Sequence, residues 1–126
     1  NLLGAARAFL VAVLVERGYA QDLVDDVEMA TDEAMTNAIE HAYEFDARCT
    51  VFVEMDLDKG RACVKVKDQG KAFDPLAVGP INLDRHVEER RTGGLGVHLM
   101  RTIMDSVEYR REDGFNVLTL IKQAVA

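Results

Sequence analysis

Residues Asp32 to Tyr43 read DEAMTNAIEHAY, and the fold turns on how this stretch is understood. Glu33, Asn37 and His41 recur every four residues, which on a helix draws one polar stripe. Ala30, Ala34, Ala38 and Ala42 draw a second stripe of small residues beside it. The alanine stripe can sit close against another element, while the Glu33 stripe carries groups able to bind or react. Upstream, Asp22 is predicted as the N-cap of this helix, with Asp25 and Asp26 in its first turn complementing the dipole. The helix then runs to about Tyr43. Before it, Leu2, Leu3, Ala6, Phe9, Leu10, Val13 and Leu14 follow helical spacing, and that first helix should stop near Gly18.

Downstream of Tyr43 the period changes to two. Val51, Val53, Met55 and Leu57 alternate with Phe52, Glu54 and Asp56; DKG (Asp58 to Gly60) is a hairpin turn. On the return strand Ala62, Val64 and Val66 share one face, Cys63, Lys65 and Lys67 the other. Parity puts Asp68 on the apolar face, where a carboxylate is costly to bury without a partner. Periodicity is lost from Gly70 to Gly93, and a connection of that length in a small domain reads as a binding lid or a disordered segment. GGLGVHLMRTIMD (Gly93 to Asp105) reads as glycines opening a helix. Two strands close the chain, Ser106 to Arg111 and Asn116 to Lys122, turning at EDG (Glu112 to Gly114), with Val117, Thr119 and Ile121 on one face. The expected architecture is α+β: a two-layer sandwich with helices on one face of a mainly antiparallel sheet.

The chain has 126 residues, enough for a single domain over residues 1–126 with one core. Its formal net charge of −7, with no basic cluster, disfavours direct nucleic-acid or anionic-membrane binding. A phosphate-bearing ligand would then need backbone amides, a metal or a few local cations. Cys49 and Cys63 form no C-x-x-C pair and no zinc spacing, which reads as two reduced thiols in a cytoplasmic protein. No apolar run is long enough to cross a bilayer and no secretory leader is visible. The chain starts without Met inside an apolar pattern, as a fragment of a longer protein would.

Chemistry could sit in three places. The Glu33/Asn37/His41 stripe is either a solvated polar face or a base (Glu33) beside an oxygen ligand for a hard cation such as Mg²⁺ (Asn37). DQGKAF (Asp68 to Phe73) is either a strand-ending turn in which Gly70 supplies a positive φ, or a turn whose inward Asp68 accepts a hydrogen bond from the exocyclic amine of adenine. GGLG (Gly93 to Gly96) is either a flexible loop base or a helix entry whose free N–H groups hold phosphate. It is not a P-loop, because no Gly-Lys-Ser/Thr follows.

Singly these signals are weak. Their order is specific: E-x-x-x-N on a helix, D-x-G ending a strand, a lid, then G-x-G opening a helix. With them the sequence resembles the GHKL ATPase superfamily, the three pieces looking like its N, G1 and G2 boxes. DEAMTNAIEHAY, DQGKAFDP and GGLGVHLMRTIMDSVEY look like the anti-sigma-factor serine-protein kinases of the RsbW and SpoIIAB type, and the likeness covers nearly the whole chain. The resemblance implies the Bergerat fold, ATP and Mg²⁺ as cofactors, and serine/threonine-protein kinase activity. It implies Glu33 as general base and Asn37 as the Mg²⁺ ligand. It puts Asp68 at adenine, with Gly70, Ala72 and Phe73 in the same turn, and Gly93, Gly94, Leu95, Gly96 and Val97 at the phosphates. Thr119 would help hold adenine and His41 would lie near the nucleotide. Ala72 stands where many relatives have a second glycine, and its methyl would tighten the adenine pocket. Arg90 or Arg91 in the lid could add a cation at the γ-phosphate. The implied partners are a sigma factor and a STAS-domain anti-sigma-factor antagonist. The strand that precedes the first helix in the family is missing here; it contributes to dimerisation in some members, so a homodimer stays open. Two other readings remain: a non-catalytic nucleotide-binding, partner-switching module of a larger regulator, and a histidine-kinase ATPase module, which the compact lid disfavours.

Overall fold

The computed structural model describes residues 2–42, 50–77 and 94–124. Helix α1 (Leu2–Glu16) ends where Gly18 takes a φ of 84°. There Tyr19 N donates to Leu14 O and Gly18 N to Val15 O, the paired closure that a left-handed glycine permits. Helix α2 (Gln21–Asn37) follows after a short link and continues through one π-helical turn, Ala38–Ala42. Its N-cap is Ala20, with no side-chain capping bond, rather than Asp22. The link is so short that the helix is under way before Asp22, which sits in the first turn and still complements the dipole. Asp25 and Asp26 lie beyond that turn; Asp25 accepts from Gln21, and Asp26 pairs with Lys122 at 3.2 Å.

Strands β1 (Val51–Leu57) and β2 (Arg61–Asp68) form the first hairpin. Asp58 Oδ1 accepts from the Gly60 and Arg61 amides and shapes the turn. A 3-10 turn, Pro75–Ala77, lies beyond β2. Helix α3 (Gly94–Ile103) leads to β3 (Ser106–Glu112) and β4 (Phe115–Gln123). Asp113 and Gly114 join these strands with φ of 52° and 82°, the two-residue turn that matches strand twist. All pairings are antiparallel in the order β1-β2-β4-β3, so the last strand lies inside the sheet.

Among the described residues, helices α1, α2 and α3 cover one face, giving the two-layer α+β architecture expected from the periodicity. Leu10 and Leu14 of α1, Val24 and Val27 of α2, Val64 of β2, Met100 of α3 and Leu120 of β4 are all buried in one core. Ala30, Ala34 and Ala38 are also buried, which lets α2 run close over β2 and β4. Among the described residues, Cys63 is a buried free thiol, and no helix is long and apolar enough to cross a membrane. The C-terminal part of α2, the end of β2 and the start of β4 meet at one end of the molecule, around a shared cavity.

Candidate functional site

The cavity is narrow, about 20 Å³, and partly open to solvent. Ala34, Asn37 and Ala38 form its helix wall; Val66, Asp68, Asn116 and Leu118 form its floor, and Phe73, Pro75 and Tyr109 its rim. Asp68 is 4 % exposed, so the inward parity of β2 did bring a carboxylate into the protein. Its Oδ1 accepts from Gly70 N (2.9 Å) and from Asn116 Nδ2 (2.8 Å), which offsets the cost of burying it. Gly70 O in turn accepts from Arg111 Nη1 at 2.7 Å. Positive φ among the described glycines falls at Gly18 and Gly114 and not at Gly70, which takes part through its backbone N–H and C=O.

Asn37 is also 4 % exposed, and its Nδ2 has no hydrogen-bond partner among the described residues. A buried amide end without a partner is costly and calls for a ligand or water to complete it. The two ends of an amide have nearly the same shape, so Asn37 can offer nitrogen to a phosphate oxygen or, turned over, oxygen to a cation. One helical turn earlier, Glu33 puts its carboxylate against the first turn of α3: a Cβ added at Gly96 would lie 2.1 Å from Glu33 Oε2. Burial pushes the Glu33 carboxyl above its ordinary range, and the nearby Asp32 and Glu40 charges add to this. His41, in the π-turn, stacks on Phe73 with ring centroids 4.6 Å apart, joining the end of α2 to the turn after β2. On the far side, Arg101 of α3 donates to Leu76 O at 3.0 Å and ties down the 3-10 turn.

The structure therefore brings together Asn37, Asp68 and Phe73, with Gly70 and His41 against them and Glu33 facing Gly96. Other residues named from the sequence fall elsewhere. Thr119 pairs with Lys65 and lines a groove with Asp56 and Glu108 on the face of the sheet turned away from α2. It is on the wrong face to reach Asp68. Asn116, three residues earlier on the opposite parity, fills that place and was missed; its signal was a polar residue opening a strand of Val, Leu and Ile. Ala72 is exposed and outside the cavity wall, so its methyl does not narrow the pocket. Val97 is 4 % exposed and part of the core, leaving only its backbone for a ligand. Gly94 and Leu95 open α3. Gly93, Arg90, Arg91 and the rest of the expected lid from 78 to 92 lie outside the described residues, as do Tyr43 and Cys49.

Comparison with known proteins gives the site a context. The family model described as the histidine kinase-like ATPase domain matches residues 1–122. The chain is similar to the serine-protein kinase RsbW of Bacillus licheniformis, 34% identical over 91% of this chain and 74% of that protein. RsbW of Bacillus subtilis (strain 168) gives the same identity and coverage. RsbW of Halalkalibacterium halodurans is 34% identical over 97% of this chain and 76% of its own length. Among solved structures, the histidine kinase domain of the blue-light activated histidine kinase of Erythrobacter litoralis EL346 aligns with a TM-score of 0.59 at 16% identity. That alignment covers 82% of this chain and 45% of the other. The histidine kinase AdeS of Acinetobacter baumannii aligns with a TM-score of 0.51 at 14% identity, over 82% of this chain and 48% of the other. The chain spans under half of these two structures, and at such identity they speak for the fold alone.

Proposed function

The chain belongs to the histidine kinase-like ATPase domain family, and from that premise we propose that it is an ATP-dependent anti-sigma-factor kinase. It transfers the γ-phosphate of ATP to a serine or threonine of a STAS-domain antagonist and sequesters a sigma factor. Its similarity to the RsbW kinases over most of its length supports this reading. One observation carries it: a single cavity holds a buried carboxylate at a strand end and a buried amide whose nitrogen has no partner among the described residues, and Glu33 lies one turn along the same helix.

The proposed division of labour follows from these environments. Asp68, an acceptor fixed at the cavity floor, takes a hydrogen bond from the exocyclic amine of adenine. The walls, Val66 and Leu118 below and Ala34 and Ala38 beside, are apolar as the faces of a base require, and the cavity of about 20 Å³ has to widen to admit one. The amides that open α3 at Gly94 and Gly96 face the phosphates with the positive end of the helix behind them. Asn37 would hold Mg²⁺ by its carbonyl oxygen with the amide turned over, and the ion would there supply neutralisation of phosphate charge. Glu33 takes the proton from the attacking hydroxyl. Burial raises its pKa toward the working pH, which suits a general base.

The deciding experiment is transfer of labelled phosphate from Mg–ATP to a purified STAS-domain antagonist that the protein retains in a pull-down. Wild type should transfer, and Glu33→Ala should bind ADP but transfer ~10²–10⁴-fold more slowly. No transfer by wild type to a partner it demonstrably binds would make the domain a nucleotide-binding module rather than a kinase.

A further inference from the structure

We propose that Asn116 is the positioning residue that assembles the Asp68–Phe73 turn before nucleotide arrives, with Tyr109 as its support, and that this assembly sets the affinity of the site and its preference for adenine. The proposal rests on the reading that Asp68 faces the base.

The sheet register puts Asn116 there. It stands opposite Asp68 on β2 and Arg111 on β3, so one row across the sheet ends at the cavity. Its amide makes four hydrogen bonds. Nδ2 donates to Asp68 Oδ1 and to Lys71 O, both at 2.8 Å. Oδ1 accepts from Phe73 N at 3.2 Å and from the Tyr109 hydroxyl at 2.5 Å. An asparagine side chain has two donor hydrogens and two acceptor lone pairs, and here all four positions are used. The orientation is also determined: Phe73 N–H can only donate and Lys71 C=O can only accept, so a turned amide would lose both.

Asn37 makes the contrast. It lines the same cavity and is equally buried, yet its Nδ2 is unpartnered among the described residues. One amide is held for the ligand, and the other is fully committed to the protein. The committed amide spans three chain segments, β2 with its following turn, β3 and β4. Its bonds end in the turn and on Tyr109 rather than in the helix layer, so it acts on the turn's shape.

The effect on specificity follows from Asp68. Asn116 and Gly70 both occupy Oδ1, so Oδ2 is the oxygen offered to the base. A carboxylate oxygen only accepts, so it welcomes the amino edge of adenine and opposes the carbonyl that guanine carries at the same place. A turn released from Asn116 lets the carboxylate rotate and loses that discrimination.

The test uses the full chain with Asn116→Ala, Asn116→Thr and Tyr109→Phe. Of the four bonds lost in Asn116→Ala, those to Lys71 O and Phe73 N hold the turn, and their loss should weaken Mg–ADP binding about five- to hundredfold. Threonine keeps one donor and one acceptor and should fall between. Tyr109→Phe removes one bond and leaves the ring packed, so it should cost about two- to tenfold. The ratio of ATP to GTP affinity should fall in the same order. In the nucleotide-free protein, amide exchange at Gly70 and Phe73 should accelerate in Asn116→Ala well beyond exchange at Val64 in the core of β2, which follows global stability; a merely global loss of stability would move all three alike. If Asn116→Ala does not fold, Tyr109→Phe carries the test. Wild-type affinity and selectivity in the folded variants overturn the proposal. Wild type without affinity for ADP overturns the nucleotide reading instead; accelerated exchange at Gly70 and Phe73 then still supports assembly of the turn by Asn116, and unchanged exchange overturns it.

Discussion

Glu33 leaves no room for a side chain at Gly96, and this can be tested without any ligand. A Cβ at Gly96 would stand 2.1 Å from Glu33 Oε2 and 2.9 Å from Cδ, whereas ordinary contact begins near 3.4 Å. In Gly96→Ala the carboxylate must therefore retreat by more than an ångström. Glu33 is a flexible side chain, so the retreat costs rotamer and packing energy rather than preventing folding, about 1–3 kcal/mol. Against that, alanine is a better helix former than glycine by up to about 1 kcal/mol. In the wild-type background Gly96→Ala should thus destabilise by roughly 0–2 kcal/mol. In a Glu33→Ala background the obstacle is gone, and the same substitution should be neutral or stabilising by up to about 1 kcal/mol. The coupling between the two sites is then about 1–3 kcal/mol. Urea denaturation of the four nucleotide-free proteins measures it. Equal effects of Gly96→Ala in both backgrounds would refute the placement of Glu33 over the first turn of α3. If the coupling is found, Gly96→Ala should also lower phosphate transfer, because the base is displaced although still present.

Further outcomes follow from the same geometry. Asp68→Asn should weaken Mg–ADP binding by ~10–150-fold, the worth of one charge-assisted hydrogen bond, with equal affinities by titration calorimetry contradicting it. Asn37→Ala should impair Mg²⁺-dependent nucleotide binding and phosphate transfer together; loss of transfer with unchanged binding would detach Asn37 from the ligand. Burial raises the Glu33 pKa above its ordinary 4.5, so the folded state holds that proton more tightly than the unfolded chain. Stability then falls as pH rises from 4.5 through the raised value, and Glu33→Gln should raise the Tm at pH 7 but not below pH 4.5. The same shift in Tm at both pH values would show that the gain is not ionisation. Leu14, fully buried between α1 and its neighbours, should cost about 2–5 kcal/mol as Leu14→Ala, read by the urea midpoint at constant m.

Where one face of an element is wet, its sequence discloses its orientation. β1 lies at the sheet edge and alternates apolar with polar or exposed, and β2 repeats Ala62, Val64 and Val66 on one parity. Asp68 could therefore be placed indoors from the sequence, and the alanine stripe of α2 could be placed against the sheet. β4 gives no such signal. It lies between β2 and β3, and Val117 on one face is as buried as Leu118 on the other. With apolar residues on both parities, period two cannot choose the inward face. Thr119 and Asn116 could not be told apart as site residues until the register fixed which parity faces α2. The π-turn is a second case. A spacing of four aligns His41 with Asn37 only if the helix stays α, and the wider turn at Ala38–Ala42 carries His41 onto Phe73 instead. That stacking joins residues far apart in the chain, and no local pattern announces it.

Both asparagines of the site share one difficulty for a sequence reader and one physical consequence. Neither periodicity nor composition distinguishes an amide that a protein uses to hold itself from one that it keeps for a ligand. The difference lies in completed hydrogen bonds, four for Asn116 and an unpartnered Nδ2 for Asn37. An amide with all four bonds made resists rotation, so it transmits the position of the sheet to the Asp68 turn. An amide with an open end is destabilising until something binds, so it gives the ligand free energy that the empty site lacks. Substituting the first should raise the cost of organising the site. Substituting the second should remove the gain on occupying it and, by relieving a buried unpaired group, make the empty protein more stable. Asn37→Ala is therefore expected to raise the Tm without nucleotide while lowering the nucleotide-induced rise, whereas Asn116→Ala lowers both. Thermal melts of the two variants, with and without saturating Mg–ADP, separate the roles; parallel behaviour would mean that the two amides do the same job.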